Sequence, residues 1–209
     1  MIFLAIILSY LLGSIPTSYI VGRLWKGIDL RKHGSGNVGA TNTFRVLGPI
    51  PGVTVLLVDI LKGLVAVLLI TRLVVSGSIS GEWIKVFCGL AAICGHNWTI
   101  FLKFRGGRGV ATSIGVFFGL VPQAIGITMI VGVAIIALSR YVSLGSISGA
   151  ILFPILVYLV YLFKKEPLPL PYLFFSLLAS LLVIIKHIPN IKRLIKCKEN
   201  KLSFRRKRK

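Results

Sequence analysis

The sequence predicts an all-α, polytopic integral membrane protein, and three observations carry that prediction. Hydrophobic residues fill 56 % of the 209 positions, and the mean hydropathy is +0.90. Charged residues make up only 14 %, where soluble domains carry roughly a quarter. The apolar residues also gather into runs long enough to cross a bilayer, which needs about 20 residues. Disorder requires low hydrophobicity, which excludes it everywhere except a terminal tail. Three cysteines are too few for a disulfide framework, and Cys88 and Cys94 read as small apolar residues inside a hydrophobic run.

The runs follow in order. Residues 1–22 carry no charge; further runs cover 51–76, 83–102, 110–139, 143–163 and 168–186. Short polar joints such as Ser76-Gly77-Ser78 and Lys164-Lys165-Glu166-Pro167 separate them. The run 110–139 is 30 residues long, about 45 Å as a helix against a hydrocarbon core of about 30 Å. Pro122 lies inside it and would break or kink a helix.

One kinked span and a short helical hairpin therefore compete, and charge decides between them. With a hairpin at 110–139, 20 of the 25 Lys and Arg face one side of the membrane. A single crossing would send the tail, with its eleven Lys and Arg between Lys186 and Lys209, to the opposite side from the basic loops. Basic residues collect on the cytoplasmic side, so the expected topology is seven helical segments, N-terminus out and C-terminus in. The whole chain, 1–209, reads as a single membrane-embedded domain, and 196–209 as a basic, disordered cytoplasmic tail. Its Lys207-Arg208-Lys209 end is most simply an anionic-lipid contact.

Polar residues gather in two loops. The first centres on Gly34-Ser35-Gly36-Asn37-Val38-Gly39-Ala40-Thr41-Asn42, with Arg45 following. It contains G-x-G-x-x-G at 34–39, but that pattern signifies dinucleotide binding only between a strand and a helix, so a nucleotide reading is rejected. Glycines can still bring successive N–H groups together as a nest for an oxyanion. The plain alternative is a solvated turn. The second loop runs from Gly95-His96-Asn97 to Lys103-Phe104-Arg105-Gly106-Gly107-Arg108-Gly109. Glycines and guanidiniums just ahead of a helix starting near Val110 suit a phosphate. Membrane anchoring would explain the arginines but does not call for three glycines.

Asp59 and Lys62, three apart in the second run, share a helix face; they are an ion pair or a functional pair. His187, Asn190 and Arg193 follow the last run and can reach the same membrane surface. Carboxylates and histidines are too few and scattered for a metal cage, and no metal or cofactor is expected. No nucleophile elbow or nucleic-acid-binding module occurs, so nucleic acid is not an expected partner. A site rich in Arg, Lys, His, Asn and Gly suits a polyanion.

In these motifs the chain resembles, over nearly its full length, the bacterial acyl-phosphate:glycerol-3-phosphate acyltransferases. The resemblance rests on Gly13-Ser14-Ile15-Pro16 with Tyr19 and Gly22, the 34–42 motif with Arg45 and Gly48, and Asp59-Ile60-Leu61-Lys62-Gly63. It continues with Gly95-His96, Phe101, Phe104–Thr112, and His187, Asn190, Arg193 and Leu194. One departure stands out: the family usually reads Lys-Gly-Gly-Lys-Gly, and here both lysines are Arg105 and Arg108. Charge is kept while a point charge becomes a planar fork.

The resemblance implies transfer of a fatty acyl group from acyl phosphate to the 1-hydroxyl of glycerol 3-phosphate, an early step of phospholipid synthesis, in a bacterial inner membrane with the site facing the cytoplasm. Ser35, Asn37, Arg45, Arg105, Arg108 and His187 are then expected to be catalytic. Gly34, Gly36, Thr41, Asn42, His96, Lys103, Gly106, Gly107, Gly109, Asn190 and Arg193 are expected to bind substrate. The 34–42 turn and the 105–109 loop would hold the acyl phosphate. Arg45, Lys103, His187, Asn190 and Arg193 would hold glycerol 3-phosphate, and His96 would orient the basic loop or a substrate. The proton of the attacking hydroxyl would pass to the donor's own phosphate, with His187 or Asp59 as competing bases. Membrane lipid is an expected partner and a monomer the expected state. The competing function is a transporter of an organic phosphate, although polar groups cluster in loops here and no internal repeat links the halves.

Overall fold

The computed structural model describes residues 1–74 and 80–202, so the Ser76-Gly77-Ser78 joint and the Lys207–Lys209 end lie outside the described residues. Among the described residues there are ten α-helices and no strand: α1 (Ile2–Ser14), α2 (Thr17–Lys26), α3 (Ala40–Leu47), α4 (Pro49–Leu68), α5 (Gly81–Asn97), α6 (Val110–Leu120), α7 (Pro122–Ser139), α8 (Val142–Lys164), α9 (Leu170–Lys186) and α10 (Ile188–Ile195). Prolines do much of the punctuation, because a proline lacks the N–H that a helix interior needs. Pro16 separates α1 from α2, and Pro49 and Pro122 open α4 and α7.

Among the described residues five stretches are long and apolar enough to cross a membrane: Ile2–Lys26, Pro49–Leu73, Gly81–Leu102, Pro122–Ser139 and Val142–Lys164. A sixth arises if α9 and α10, bent by 56° at His187, count as one. The 110–139 run is divided at Val121 into α6 and α7. With 11 residues, α6 is about 16 Å long and reaches only halfway through a bilayer core. The chain leaves the polar end of the molecule at Val110 and is back beside the same cavity at Ser143, two helices later, so α6 and α7 form a helical hairpin.

Packing follows the rule for helices in lipid, where large apolar side chains face outward and small residues let backbones meet. Leu57, Leu61, Ile130, Leu138 and Phe163 are exposed, while Ser9, Ser14, Ser18, Thr43 and Ser176 are buried. On α4 and α6, Gly63 lies against the Thr112 carbonyl and Gly115 against that of Ile60; a Cβ at either glycine would collide with backbone. Further along both helices Gly119 lies against Val67 and Leu68, so α4 and α6 run side by side in the same direction. One large apolar core joins α6, α7, α8 and α9, and its centre is Phe117, whose ring sits 4.5 Å from Phe153 and 4.9 Å from Phe175.

Candidate active site

One cavity of about 480 Å³ occupies the end of the molecule where the 27–39 loop, the 98–109 loop and α10 meet. Its polar mouth is lined by Ser35, Asn37, Thr41, Asn42, Arg45, His96, Arg108, Gly109, His187, Asn190 and Arg193. Residues from two distant glycine-bearing loops and from the C-terminal segment are therefore brought together. Below the mouth the walls turn apolar, with Ile60, Ile114, Phe117, Met129 and Phe153 among them. Val53, Leu56 and Val133 line the cavity and are also exposed, so it opens sideways between α4 and α7.

The first loop is shaped by Asn42. This residue is 1 % exposed, and its Oδ1 accepts the Ser35 N–H at 2.8 Å while its Nδ2 donates to the Leu30 and His33 carbonyls, each at 3.1 Å. Gly34, at φ 62°, packs against this carboxamide, where a side chain would collide. Asn42, expected to bind substrate, lines the cavity and at the same time pins the turn that presents Ser35. Gly34 and Gly36 supply left-handed backbone rather than lining the cavity. Asp29 anchors the same loop by pairing with Arg31 at 2.7 Å, which holds its carboxyl well below the ordinary range, at about 2.

The second loop is fixed by its own backbone. The Gly107 N–H donates to the His96 carbonyl at 2.9 Å and the Gly106 N–H to the Asn97 carbonyl at 3.2 Å. These two amides cap the C-terminus of α5, so they are not available as an oxyanion nest. A Cβ on Gly106 would strike the His96 carbonyl, and one on Gly107 would strike the His96 ring. The glycine pair is required by close approach. Lys103 and Arg105 are exposed and do not line the cavity. Of the two arginines, Arg108 alone lines it.

Arg108 precedes α6, whose first helical hydrogen bond runs from the Ser113 N–H to the Gly109 carbonyl. The N–H groups of Val110, Ala111 and Thr112 have no carbonyl one turn back, and they sit at the positive end of the helix dipole. Burial lowers the Arg108 pKa, and the guanidiniums of Arg193 and Arg45 press in the same direction while Glu199 opposes them. Burial likewise lowers that of Arg45, with Glu199 opposing and Arg193 reinforcing. Three cations thus share one neighbourhood with one carboxylate.

Glu199, a residue the sequence reading left among scattered acids, ties this end together. It accepts from Arg193 Nε and Asn190 Nδ2, each at 2.7 Å, and from Ser143 Oγ at 3.1 Å. Burial raises its pKa, but the Arg193 and Asn190 hydrogen bonds outweigh that and leave it lowered. The Leu202 N–H donates to the Arg140 carbonyl at 2.7 Å, so the start of the basic tail packs on the α7–α8 joint. The signal in the sequence was a lone acid inside a run of lysines and arginines.

His187 is 2 % exposed, and its Nδ1 lies 2.8 Å from the Val183 carbonyl. A carbonyl can only accept, so the proton sits on Nδ1, and Nε2 is the nitrogen free to serve the cavity. Asp59, which also lines the cavity, is engaged through Oδ1: Thr17 Oγ1 donates to it at 3.0 Å and Lys62 Nζ lies 2.9 Å from it. Asp59 also lies 3.7 Å from His96 Nδ1, beneath the glycine loop. Ser113 Oγ and Asn190 Oδ1, buried atoms of residues that line the cavity, have no hydrogen-bond partner among the described residues. Among the described residues no cluster of three or more His, Cys, Asp or Glu could hold a metal ion.

Comparison with known proteins agrees with this geometry. Residues 3–197 match the profile of the family described as Glycerol-3-phosphate acyltransferase. The chain is 48 % identical to Glycerol-3-phosphate acyltransferase 2 of Moorella thermoacetica over 202 residues, covering 97 % of this chain and 98 % of that one. It is 46 % identical to Glycerol-3-phosphate acyltransferase of Halalkalibacterium halodurans, covering 95 % and 94 %. The crystal structure of PlsY, an integral membrane glycerol 3-phosphate acyltransferase, in its glycerol 3-phosphate form is similar at a TM-score of 0.86, with 36 % identity and coverage of 97 % and 96 %. Its lysophosphatidic acid form is similar at 0.84, with 35 % identity.

Proposed function

Because this chain belongs to the glycerol-3-phosphate acyltransferase family, we propose that its cavity transfers a fatty acyl group from acyl phosphate to the 1-hydroxyl of glycerol 3-phosphate. The products are 1-acylglycerol 3-phosphate and inorganic phosphate. The observation that carries this reading is the two-part cavity, with three guanidiniums at its mouth and an apolar channel below. Two phosphate-bearing substrates need the cations, and one fatty chain needs the channel.

Arg108 and the α6 N-terminus receive the acyl-phosphate phosphoryl group, with Ser35 and Asn37 on the facing turn. Arg45, Arg193, Asn190 and His187 receive glycerol 3-phosphate. The hydroxyl oxygen attacks the acyl carbon, the new ester C–O bond forms, and the bond from that carbon to the bridging phosphate oxygen breaks. The hydroxyl proton leaves on the departing phosphate. An acyl phosphate is already an activated anhydride, so no covalent enzyme intermediate is required. His187 Nε2 accepts a hydrogen bond from the hydroxyl and aims it, whereas Asp59 is held by its own ion pair and does not act as base.

Seven apolar segments with the N-terminus out turn this mouth to the cytoplasm, since 20 of the 25 basic residues then face that side of the inner membrane. Each chain contains a whole cavity, and a monomer suffices.

The test is purified protein given palmitoyl phosphate and glycerol 3-phosphate, with release of phosphate and formation of the lysolipid measured together. Stoichiometric appearance of both is expected. Folded protein that makes no lysolipid from acyl phosphate, yet makes it from an acyl thioester, would overturn the donor assignment. A His187→Ala variant that loses nearly all turnover, together with a pH-rate inflection near neutrality, would overturn the role of phosphate as base.

A further inference from the structure

The apolar part of the cavity has a floor. Along α8 the lining runs from Val142 to Phe153, and along α7 from Ile136 to Ile125; each is about 16 Å of helix. At that depth Phe117 and Phe153 meet with ring centroids 4.5 Å apart. Phe117 is 1 % exposed and Phe153 4 %. One turn further, Leu120, Val121, Ala124 and Val157 are buried in closed core and do not line the cavity. The polar side chains of the walls above the floor are the small hydroxyls of Ser113, Thr128, Ser146 and Ser180. Thr128 donates its hydroxyl back to the Ala124 carbonyl at 2.8 Å, and its methyl carbon is what a Cβ on Gly149 would meet. Ala150 lines the cavity one helical turn above Phe153, on the same face of α8.

We propose that the Phe117–Phe153 ring pair is the stop against which the methyl end of the acyl chain rests, making Phe153 and Ala150 residues that set chain-length preference. This rests on the functional reading above and adds a selectivity to it. The phosphoryl group is fixed at Arg108 and the α6 N-terminus, so the distance from there to the rings limits how much chain can be seated. A longer chain must fold back or lift the carbonyl from the attacking hydroxyl. A pocket that rejects one methylene too many discriminates by roughly tenfold or more. The rival route is sideways, through the opening between α4 and α7 where Val53, Leu56 and Val133 are exposed. A chain leaving there would make the enzyme indifferent to the floor.

Two variants push in opposite directions. Phe153→Ala removes one ring and deepens the channel; Ala150→Phe fills it one turn higher. Purified parent and variants are given equal mixtures of dodecanoyl, palmitoyl and icosanoyl phosphate with glycerol 3-phosphate, and the lysolipids are quantified by mass. The icosanoyl-to-dodecanoyl product ratio should rise about tenfold in Phe153→Ala and fall about tenfold in Ala150→Phe, with KM for glycerol 3-phosphate unchanged. A misfolded variant would lose all three products alike, so the ratio reports the channel rather than the fold. Ratios within twofold of the parent in a variant that still makes dodecanoyl product would overturn the stop and favour the lateral exit. A parent that acylates nothing from any of the three donors would instead overturn the functional reading itself.

Discussion

Replacing Asn42 by alanine should destabilise the protein and cripple the Ser35 turn. The magnitude follows from the three hydrogen bonds of its carboxamide: Ser35 N–H to Oδ1 at 2.8 Å, and Nδ2 to the carbonyls of Leu30 and His33 at 3.1 Å each. Each is worth about 1 kcal/mol net, so the loss is about 3 kcal/mol, and more where a stranded backbone group stays dry. For a chain of this size that corresponds to a drop of roughly 6–12 °C in thermal midpoint. A thiol-reactive dye would follow unfolding above the constant signal of the exposed Cys197, because Cys88 is buried and Cys94 half-buried in the folded protein. Asn42→Asp should be no better than alanine, since a carboxylate keeps the Ser35 acceptor but turns negative charge toward two carbonyls. Acyl transfer should fall mainly in kcat as Ser35 loses its fixed position. The reasoning is refuted if Asn42→Ala melts within about 1 °C of the parent while KM for glycerol 3-phosphate rises, which would make Asn42 a direct ligand.

Other expectations are narrower. Arg108→Ala should lower kcat/KM for acyl transfer by about 10- to 100-fold, the cost of one charge-assisted contact, whereas Arg105→Ala should stay within about twofold; equal effects would contradict the exposure of Arg105. Gly107→Ala should lower the yield of folded protein and its thermal midpoint, by about 1–3 kcal/mol or more, because the added methyl meets the His96 ring and, at 2.7 Å, the Val38 carbonyl; parent-like melting would show the loop is looser than this. Glu199 is held below the ordinary carboxylate range, so its stabilising contacts are complete above that range and are lost as pH falls through its lowered folded value. The protection factor of the Leu202 amide, its exchange rate relative to an unstructured chain at the same pH, should therefore fall on acidification, and Glu199→Gln should show the low protection already at neutral pH; unchanged protection in both would detach Glu199 from the packing of the tail.

Much of this molecule was legible without coordinates. Its apolar runs were readable because a bilayer asks for length and hydrophobicity, which are properties of the chain alone. Pro122 marked the break in 110–139 because a missing N–H is local chemistry. The collection of Ser35, Arg45, Arg108, His187, Asn190 and Arg193 at one mouth was anticipated from residue type and loop charge. The division of labour among them was not. Gly106 and Gly107 read as part of a phosphate-binding loop, and their amides are taken by the carbonyls of Asn97 and His96, partners nine and eleven residues back that spacing does not reveal. Arg105 and Arg108 look equivalent in Arg-Gly-Gly-Arg, and the direction of one short loop decides that only Arg108 lines the cavity.

Taken by itself, then, the sequence determined that this chain lives in a membrane, where its helices break, and that its polar end is cationic, since each of these is the sum of local preferences. Tertiary structure decided which polar groups stay free for a ligand, because a donor or acceptor is free only when no neighbour, however distant along the chain, has claimed it. Asn42 and Glu199 illustrate this: both are polar residues beside the cavity whose side-chain contacts lie wholly or largely within the protein.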